Sequence, residues 1–412
     1  MDSQNQNFWS LPWSFKQGFL FAVTFPLLGF IMELTFTHAT PDLPSFPMNL
    51  IILGSFLLLI SLLFFLLRKK AIIQFLSSIS AAIPAIAVFI GIVLLMGLFP
   101  QNDQAPFWVK KLELNHVLHH AMFYFSFVYL VVILTFTVLK RLIPFKIRNI
   151  SFLLNHLGLL TILLAGVFGA GDMYRIKMIC YYNQPIWYGT DEYERIYELP
   201  LALELCDFSI EYYNPEVVAV DNSTGKAIDF KPKPDPSLLE NKRIEIAQNI
   251  QITVDTLYLY ALKMNNTYYP INNMGSSQAA KIRVSNSKTG TFIQQGWIAS
   301  ESFTQPSQFL SFDHYSLFLS PPKPKKYTSV LKLYTPDMQP KHITLEVNKP
   351  YYYKGWKLYQ VSYDSAKGEW SEYSVIEAVR DPWLPLVYSG IGMLILGALS
   401  MIFQIRKKGT HE

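Results

Sequence analysis

Four histidines are the side chains in this sequence best suited to binding a metal or an iron-centred ligand. His116, His119 and His120 occur at i, i+3 and i+4 in LNHVLHHAMFYF, so on an α-helix all three would share one broad face. That spacing is compatible with ligation of a metal or of haem iron, and equally with a polar cap at a membrane interface. The isolated histidines elsewhere are expected to be surface or loop residues: His38, His314, His342 and His411.

The fourth histidine, His156, lies in a different setting. Residues 151–171 read SFLLNHLGLLTILLAGVFGAG, an uncharged stretch long enough to cross a bilayer. A charged side chain at mid-membrane costs roughly 2.5–3.5 kcal/mol, so ionisable residues there usually face a cavity, a partner or a ligand. His156 is therefore either a ligand-binding group or a donor to a neighbouring helix.

Composition identifies the elements that must position these histidines. The 412 residues are 51% hydrophobic and only 16% charged, whereas about a quarter of residues in soluble proteins are charged. Uncharged runs of about 20 residues predict membrane-spanning helices. Six such spans are expected, at about 17–36, 48–67, 74–99, 121–139, 151–171 and 384–405.

Basic residues orient the predicted spans. If the six spans alternate, one side of the membrane receives most of the flanking basic residues, namely Arg68, Lys69, Lys70, Lys140, Arg141, Lys146, Arg148, Arg406, Lys407 and Lys408. The positive-inside rule makes that side cytoplasmic. We therefore expect a multi-pass protein of the cytoplasmic (inner) membrane, with both termini inside and residues 172–383 outside. His156 would then lie roughly 8 Å deep in the inner leaflet.

The formal net charge of +5 follows from this topology. Residues 172–383 contain 22 Lys and Arg against 24 Asp and Glu, so the basic excess belongs to the membrane part. A charge excess of this origin does not indicate a nucleic-acid partner. A basic excess that flanks membrane spans indicates the lipid bilayer as the partner.

The outer segment is predicted to be a β domain. Five stretches are rich in β-branched or aromatic residues and are bounded by turn residues: 200–213, 279–286, 327–335, 341–348 and 354–364. Proline-rich loops are expected at 231–236 and 320–326. The predicted fold is a polytopic α-helical membrane protein with a large, mostly antiparallel, sandwich-like extracytoplasmic domain before the last helix. Cys180 and Cys206 in that domain could pair or remain two buried thiols.

Motifs for a self-contained active site are missing from the sequence. It contains no P-loop, no G-x-G-x-x-G after a strand, no H-E-x-x-H, no G-x-S-x-G and no C-x-x-C. The glycine-rich GVFGAG at 166–171 ends a membrane helix, where small residues favour close helix packing. An enzyme with its own soluble active site is not expected.

Segments in order along the chain resemble the ResB (CcsB) family of cytochrome c biogenesis. The membrane segments are FLSSISAAIPAIAVFIGIVLLMGLFPQ (75–101), HAMFYFSFVYLVVILTFTVLKRL (120–142) and NHLGLLTILLAGVFGAG (155–171). The outer segments are LPLALELCDFSIEYY (199–213), KKYTSVLKL (325–333), LEVNKPYYYKGWKLYQVSYD (345–364) and VRDPWLPLVYSGIGMLILGA (379–398). The resemblance divides the chain into a two-helix extension (1–70), core helices (71–171), the β domain (172–383) and a final helix with a basic tail (384–412).

The resemblance implies a function and a role for His156. ResB-type proteins work with a second membrane protein, ResC or CcsA, which carries a tryptophan-rich haem-handling loop. Together they carry haem outward and join it to apocytochrome c. In this family a histidine of the third core helix ligates haem b held transiently in the membrane, and the matching position here is His156. The chain would then be a non-autonomous subunit of a haem-lyase complex, and its β domain would hold apocytochrome c or clasp the partner.

Two other functional classes are consistent with the same residues. One is a membrane-anchored scaffold or binding protein whose histidines never bind haem. The other is a transporter with His156 in a substrate or proton path.

Overall fold

The chain forms two compact units in the computed structural model. One unit combines Met1–Tyr174 with Arg380–Glu412, and the other is Arg175–Val379. The second unit lies just within the predicted outer segment 172–383. The structure describes residues 13–36, 43–228, 237–247, 250–302 and 304–409.

The first unit is α-helical. Its helices are α1 (Phe15–Thr35), α2 (Met48–Leu67), α3 (Ala71–Leu76), α4 (Ile79–Leu98), α5 (Phe107–Lys111), α6 (Ala121–Leu142), α7 (Ile150–Phe168) and α8 (Leu384–Gly409). Within the described residues, six helices are long and apolar enough to cross a membrane, which confirms the predicted number. One boundary was wrong, because the predicted span 74–99 is interrupted at Ser77–Ser78 and only α4 crosses.

The N-terminal helix α1 packs tightly against the helices that follow it. A Cβ added at Gly18 would overlap the backbone carbonyl of Ser80 in α4, and one added at Gly29 would lie 2.6 Å from the backbone of Ala121 in α6. Phe75, from the FLSS segment, is fully buried beside α1. The predicted extension 1–70 thus contributes to the same bundle as the core helices.

Helices α7 and α8 share a seam of small residues. A Cβ at Gly158 would lie 2.6 Å from the carbonyl oxygen of Gly390, and one at Gly390 would lie 2.8 Å from that of Gly158. Nearer the N-terminal end of α7, the hydroxyls of Ser151 and Ser400 are 2.6 Å apart. Small residues let the two backbones approach, and the hydroxyl pair satisfies polar groups that lipid cannot.

The second unit is built from β-strands. They are β1 (Tyr174–Tyr181), β2 (Ile186–Thr190), β3 (Ile196–Tyr212), β4 (Val217–Asp221), β5 (Arg243–Ala247), β6 (Ile250–Met264), β7 (Thr267–Pro270), β8 (Ser277–Asn286), β9 (Phe292–Ala299), β10 (Leu310–Phe312), β11 (Tyr315–Leu319), β12 (Pro324–Thr335), β13 (Met338–Glu346), β14 (Tyr351–Tyr353), β15 (Trp356–Tyr363) and β16 (Tyr373–Arg380). All five predicted strand segments are confirmed as β3, β8, β12, β13 and β15. The loop predicted at 320–326 ends earlier, because β12 begins at Pro324, and the loop at 231–236 lies outside the described residues.

An eight-stranded sheet surrounds the first of two β cores. Its order is β13-β12-β3-β2-β1-β16-β15-β14. Met178 of the central strand β1 shares one buried cluster with Ile343 of one edge strand and Tyr353 of the other. Since both edges contribute to the same core, the sheet is strongly curled into a near-barrel. The predicted antiparallel β domain is therefore confirmed, and it has more than one core.

The second β core is formed between two smaller sheets. One has the order β10-β11-β4, and the other has the order β5-β6-β8-β9 with β7 paired to β6. Ile252, Ile282 and Leu317 are fully buried between these sheets. This pair of sheets is the sandwich-like part of the domain.

Candidate functional site

His156 lies in the N-terminal half of α7, on the side away from α8. It follows the first helical residue, Ile150, by six positions, which is about 9 Å along the helix axis. Two positions separate it from Gly158 at the α8 seam, so it points about 160° away from that contact. The neighbouring Asn155 faces the seam instead, because its amide contacts Gly397 of α8. The adjacent residues Asn155 and His156 therefore have different surroundings.

The imidazole of His156 is fixed by the residue one turn earlier. Its Nδ1 lies 2.9 Å from the backbone carbonyl oxygen of Phe152, and its ring stacks on the Phe152 ring with centroids 3.7 Å apart and planes 19° apart. A carbonyl oxygen only accepts hydrogen bonds, so Nδ1 carries the hydrogen and donates. In the neutral ring, Nε2 then presents its lone pair.

The environment of Nε2 fits a metal-ligating nitrogen. The His156 side chain is partly buried, and none of the described residues forms a hydrogen bond with its Nε2. Histidines that bind metals typically donate their other N–H to a carbonyl or carboxylate, which fixes the ring and raises the basicity of the ligating nitrogen. His156 has that arrangement before any ligand is bound.

His120 has the opposite hydrogen-bonding pattern. It is the N-cap of α6, where its Nδ1 accepts a hydrogen bond of 3.0 Å from the backbone N–H of Met122. The neutral ring therefore carries its hydrogen on Nε2, which is buried and has no hydrogen-bond partner among the described residues. With a side-chain exposure of only 1% and a ring stacked on Phe30, His120 is a structural cap. Iron ligation through Nε2 would require loss of that cap.

The three histidines at 116, 119 and 120 do not share one helical face, so that prediction was wrong. His116 and His119 belong to a short 3-10 turn, Leu114–His119, and the backbone of His116 is non-helical within it (φ −141°, ψ 52°). Both side chains are exposed, whereas His120 is buried. The i, i+3, i+4 argument assumed an α-helix, but α6 begins only at Ala121. No group of three or more His, Cys, Asp or Glu within the described ranges is arranged to hold a metal ion.

Polar residues near the predicted outer face stabilise the loops around α6. Glu33 of α1 is buried, and its Oε2 accepts a 2.8 Å hydrogen bond from the backbone N–H of Ala121 at the start of α6. Gln101, from the Pro-Gln that ends the FLSS segment, donates to the carbonyl of Leu114 and accepts from the N–H of Val117, both at 3.0 Å. These contacts satisfy backbone groups that a helix end leaves unpaired.

Sequence reasoning missed a buried carboxylate just after the C-terminal end of α7. Asp172 accepts hydrogen bonds from the backbone N–H of Phe46 (2.6 Å), the amide of Asn49 (2.7 Å) and the indole N–H of Trp383 (2.7 Å). Burial acts to raise the pKa of Asp172, but these hydrogen bonds and the charge of Arg380 lower it below its usual value. Asp172 thus joins the chain before α2, the end of α7 and the start of α8. The position of an Asp directly after an apolar span was the available signal.

The DPW segment and the glycines of GVFGAG belong to the same region. The carboxylate of Asp381 accepts hydrogen bonds from the backbone N–H of Trp383 (3.0 Å) and of Leu384 (3.1 Å), and so caps the start of α8. A Cβ at Gly169 would lie 2.6 Å from the Trp383 side chain, whereas Gly166 faces open space. The predicted packing role is confirmed for Gly169.

The two cysteines of the β domain are both free thiols. Cys180 is fully buried in the curled sheet, and burial raises the pKa of its thiol to about 12. A thiol of that kind stays protonated and packs as a small apolar side chain.

One segment of the β unit carries a two-residue hairpin turn that its sequence explains. Tyr353 of β14 pairs with Trp356 of β15, and the two residues between them, Lys354 and Gly355, have φ angles of 43° and 85°. Positive φ at both positions gives the primed turn that matches strand twist, and glycine adopts it without strain. The stretch KPYYYKGWKLYQVSYD therefore encodes the edge of the curled sheet.

Comparison with known proteins finds a family match in a region that contains this hairpin. The model of the ResB-like family matches residues 271–372, which begin directly after β7 and end directly before β16. No curated protein matches the sequence. The matched part contains the VNKPYYYKGWKLYQVSYD segment, and the membrane unit supplies the six spans. The chain is a multi-pass membrane protein that contains a ResB-like segment, and this similarity supports a general role in cytochrome c biogenesis.

Proposed function

We propose that this chain is the ResB-like half of a haem export and cytochrome c synthase complex. In this proposal haem b is the substrate, held transiently in the inner leaflet by His156 and passed outward to apocytochrome c. A ResC/CcsA-type membrane protein supplies the second axial histidine and the tryptophan-rich loop that presents haem. The complex lies in the cytoplasmic membrane with Arg175–Val379 outside.

The observation that carries the proposal is the fixed ring of His156. Its Nδ1–H is used by the Phe152 carbonyl at 2.9 Å, so the remaining nitrogen is an accessible lone pair within an apolar span. Neutral imidazole is a common axial ligand of haem iron. Iron coordination would satisfy the nitrogen that lipid cannot, which gives a reason for a histidine at this depth.

The chain's own contribution is binding and orientation. Bound haem supplies the vinyl groups that react with cysteine thiols, and proteins generally provide position and electrostatics for such cofactor chemistry. The described residues around His156 include no acid or thiol in contact with its imidazole. We therefore assign the chain no catalytic residue and treat it as a subunit that cannot act alone.

An absorption spectrum tests the proposal. The chain is purified alone and together with its CcsA-type partner, and each preparation is measured oxidised and reduced. We expect a Soret band and the α and β bands of six-coordinate haem in the complex. Absence of haem from both preparations would refute the proposal and favour a scaffold, and solute transport by the chain without its partner would favour a transporter.

A further inference from the structure

An arginine of α6, Arg141, lies beside the His156 site. The guanidinium carbon of Arg141, near the end of α6, is 5.2 Å from the centroid of the Phe152 ring, and that ring stacks on His156 at 3.7 Å. Among the described residues, no Asp or Glu forms an ion pair with Arg141. The one hydrogen bond that Arg141 forms with a described side chain uses its backbone carbonyl, which accepts from the amide of Asn149 at 3.0 Å.

The adjacent lysine is committed elsewhere. The ammonium of Lys140 donates to the carbonyl and the hydroxyl of Ser77, at 3.1 and 3.2 Å. Of the two neighbouring cations at this end of α6, only Arg141 is therefore placed on the aromatic ring that supports the imidazole. The two ring distances put its guanidinium carbon no more than about 9 Å from the His156 centroid.

We infer that Arg141 binds the carboxylate groups of the ligand whose metal His156 holds. The inference rests on the proposed function, and for haem the carboxylates are the propionates. Arginine is the side chain best matched to carboxylates, because its planar fork donates two parallel hydrogen bonds. The imidazole and the guanidinium both contact the rigid phenyl ring of Phe152, which would fix their positions relative to each other.

The distribution of charge along α7 sets the orientation of that ligand. From Leu157 to Gly171 the chain has no charged side chain, and the next one is Asp172 at the far end of the span. Propionates directed along this apolar segment would be unpaired in hydrocarbon, at a cost of several kcal/mol. The propionate edge therefore faces the cytoplasmic border and Arg141. The apolar vinyl edge then points towards the outer side, where the proposed thioether bonds form.

A ligand pair separates carboxylate binding from iron ligation. Haem and haem dimethyl ester, in which both propionates are esterified, are titrated into the full chain in complex with its CcsA-type partner, stripped of bound haem. We expect wild type to bind haem roughly 10–100-fold more tightly than the ester, the range for a hydrogen-bonded charge. Arg141→Gln should lose most of this preference while its Soret maximum stays unchanged, because the axial ligand is intact.

Matched variants keep the test decisive. Arg148→Gln removes the same charge from an exposed residue of the neighbouring turn, and it should retain the preference for haem over the ester. Arg141→Lys keeps the charge but loses the fork, and it should give an intermediate preference. If Arg141→Gln prefers haem as strongly as wild type does, the inference is wrong even where His156→Ala shows that His156 is the ligand. If His156→Ala leaves the binding of both ligands unchanged, the proposed function fails instead.

Discussion

Replacement of His156 by alanine should remove haem from the complex without disrupting the fold. The imidazole makes one side-chain hydrogen bond, to the Phe152 carbonyl, and one ring stack. Such contacts contribute about 0.5–1.5 kcal/mol each, so their loss costs roughly 1–3 kcal/mol. Alanine has the highest helix propensity and offsets part of that cost. The carbonyl keeps its helical hydrogen bond, so no backbone group is left unpaired.

The effect on haem should be much larger than the effect on stability. Loss of a residue that merely orients a metal ligand typically lowers metal affinity 10–100-fold. Loss of the ligand itself should lower it by at least that factor, because the iron loses a bond and Phe152 loses its partner ring. We expect haem per complex to fall below a tenth of the wild-type value after purification.

The assay is haem content and visible spectrum of the complex at equal protein level. Leu159→Ala is the matched control, because it shortens an exposed side chain of the same helix three positions later. Imidazole at millimolar concentration should enter the space vacated in His156→Ala and restore part of the Soret band and of cytochrome maturation. A wild-type spectrum and normal maturation in His156→Ala would refute the reasoning, and the ligand would have to be sought among the outer histidines or in the partner.

Three further predictions concern the rest of the membrane unit. His120→Ala should lower the free energy of unfolding by about 1 kcal/mol through loss of the α6 cap, measured as a lower Tm in detergent. The double alanine variant of the exposed His116 and His119 should leave Tm and maturation near wild type. Loss of maturation in the double variant would show that the exposed pair is functional. Gly158→Leu should prevent the close approach of α7 and α8, measured as faster proteolysis and loss of the complex with the partner. A variant as stable as wild type would contradict the close packing of these two helices. A cysteine introduced at Thr224 should react with a membrane-impermeant maleimide in intact cells, because the outer unit is proposed to be extracytoplasmic; labelling only after lysis would reverse the topology.

The membrane spans and five of the sixteen described strands could be predicted because their signals are local. A run of apolar residues is sufficient to identify α2 or α7, and β-branched stretches bounded by turn residues identify β8 and β12. The break at Ser77–Ser78 was not visible, because serine is tolerated within membrane helices and the interruption depends on packing of Phe75 against α1. The two cores of the β domain depend on pairing between distant strands, which a single sequence does not specify.

The two histidine regions show where residue type alone stops being informative. His120 directly precedes the membrane helix α6 and His156 lies near the start of α7, and sequence alone left both as possible ligands. Their difference lies in a single hydrogen bond: Nδ1 of His120 accepts from Met122, whereas Nδ1 of His156 donates to Phe152. The first contact fixes the hydrogen on Nε2, and the second leaves Nε2 free to ligate. Such a distinction follows from whether the histidine precedes a helix or lies within one, because only a residue inside a helix reaches the carbonyl four positions back.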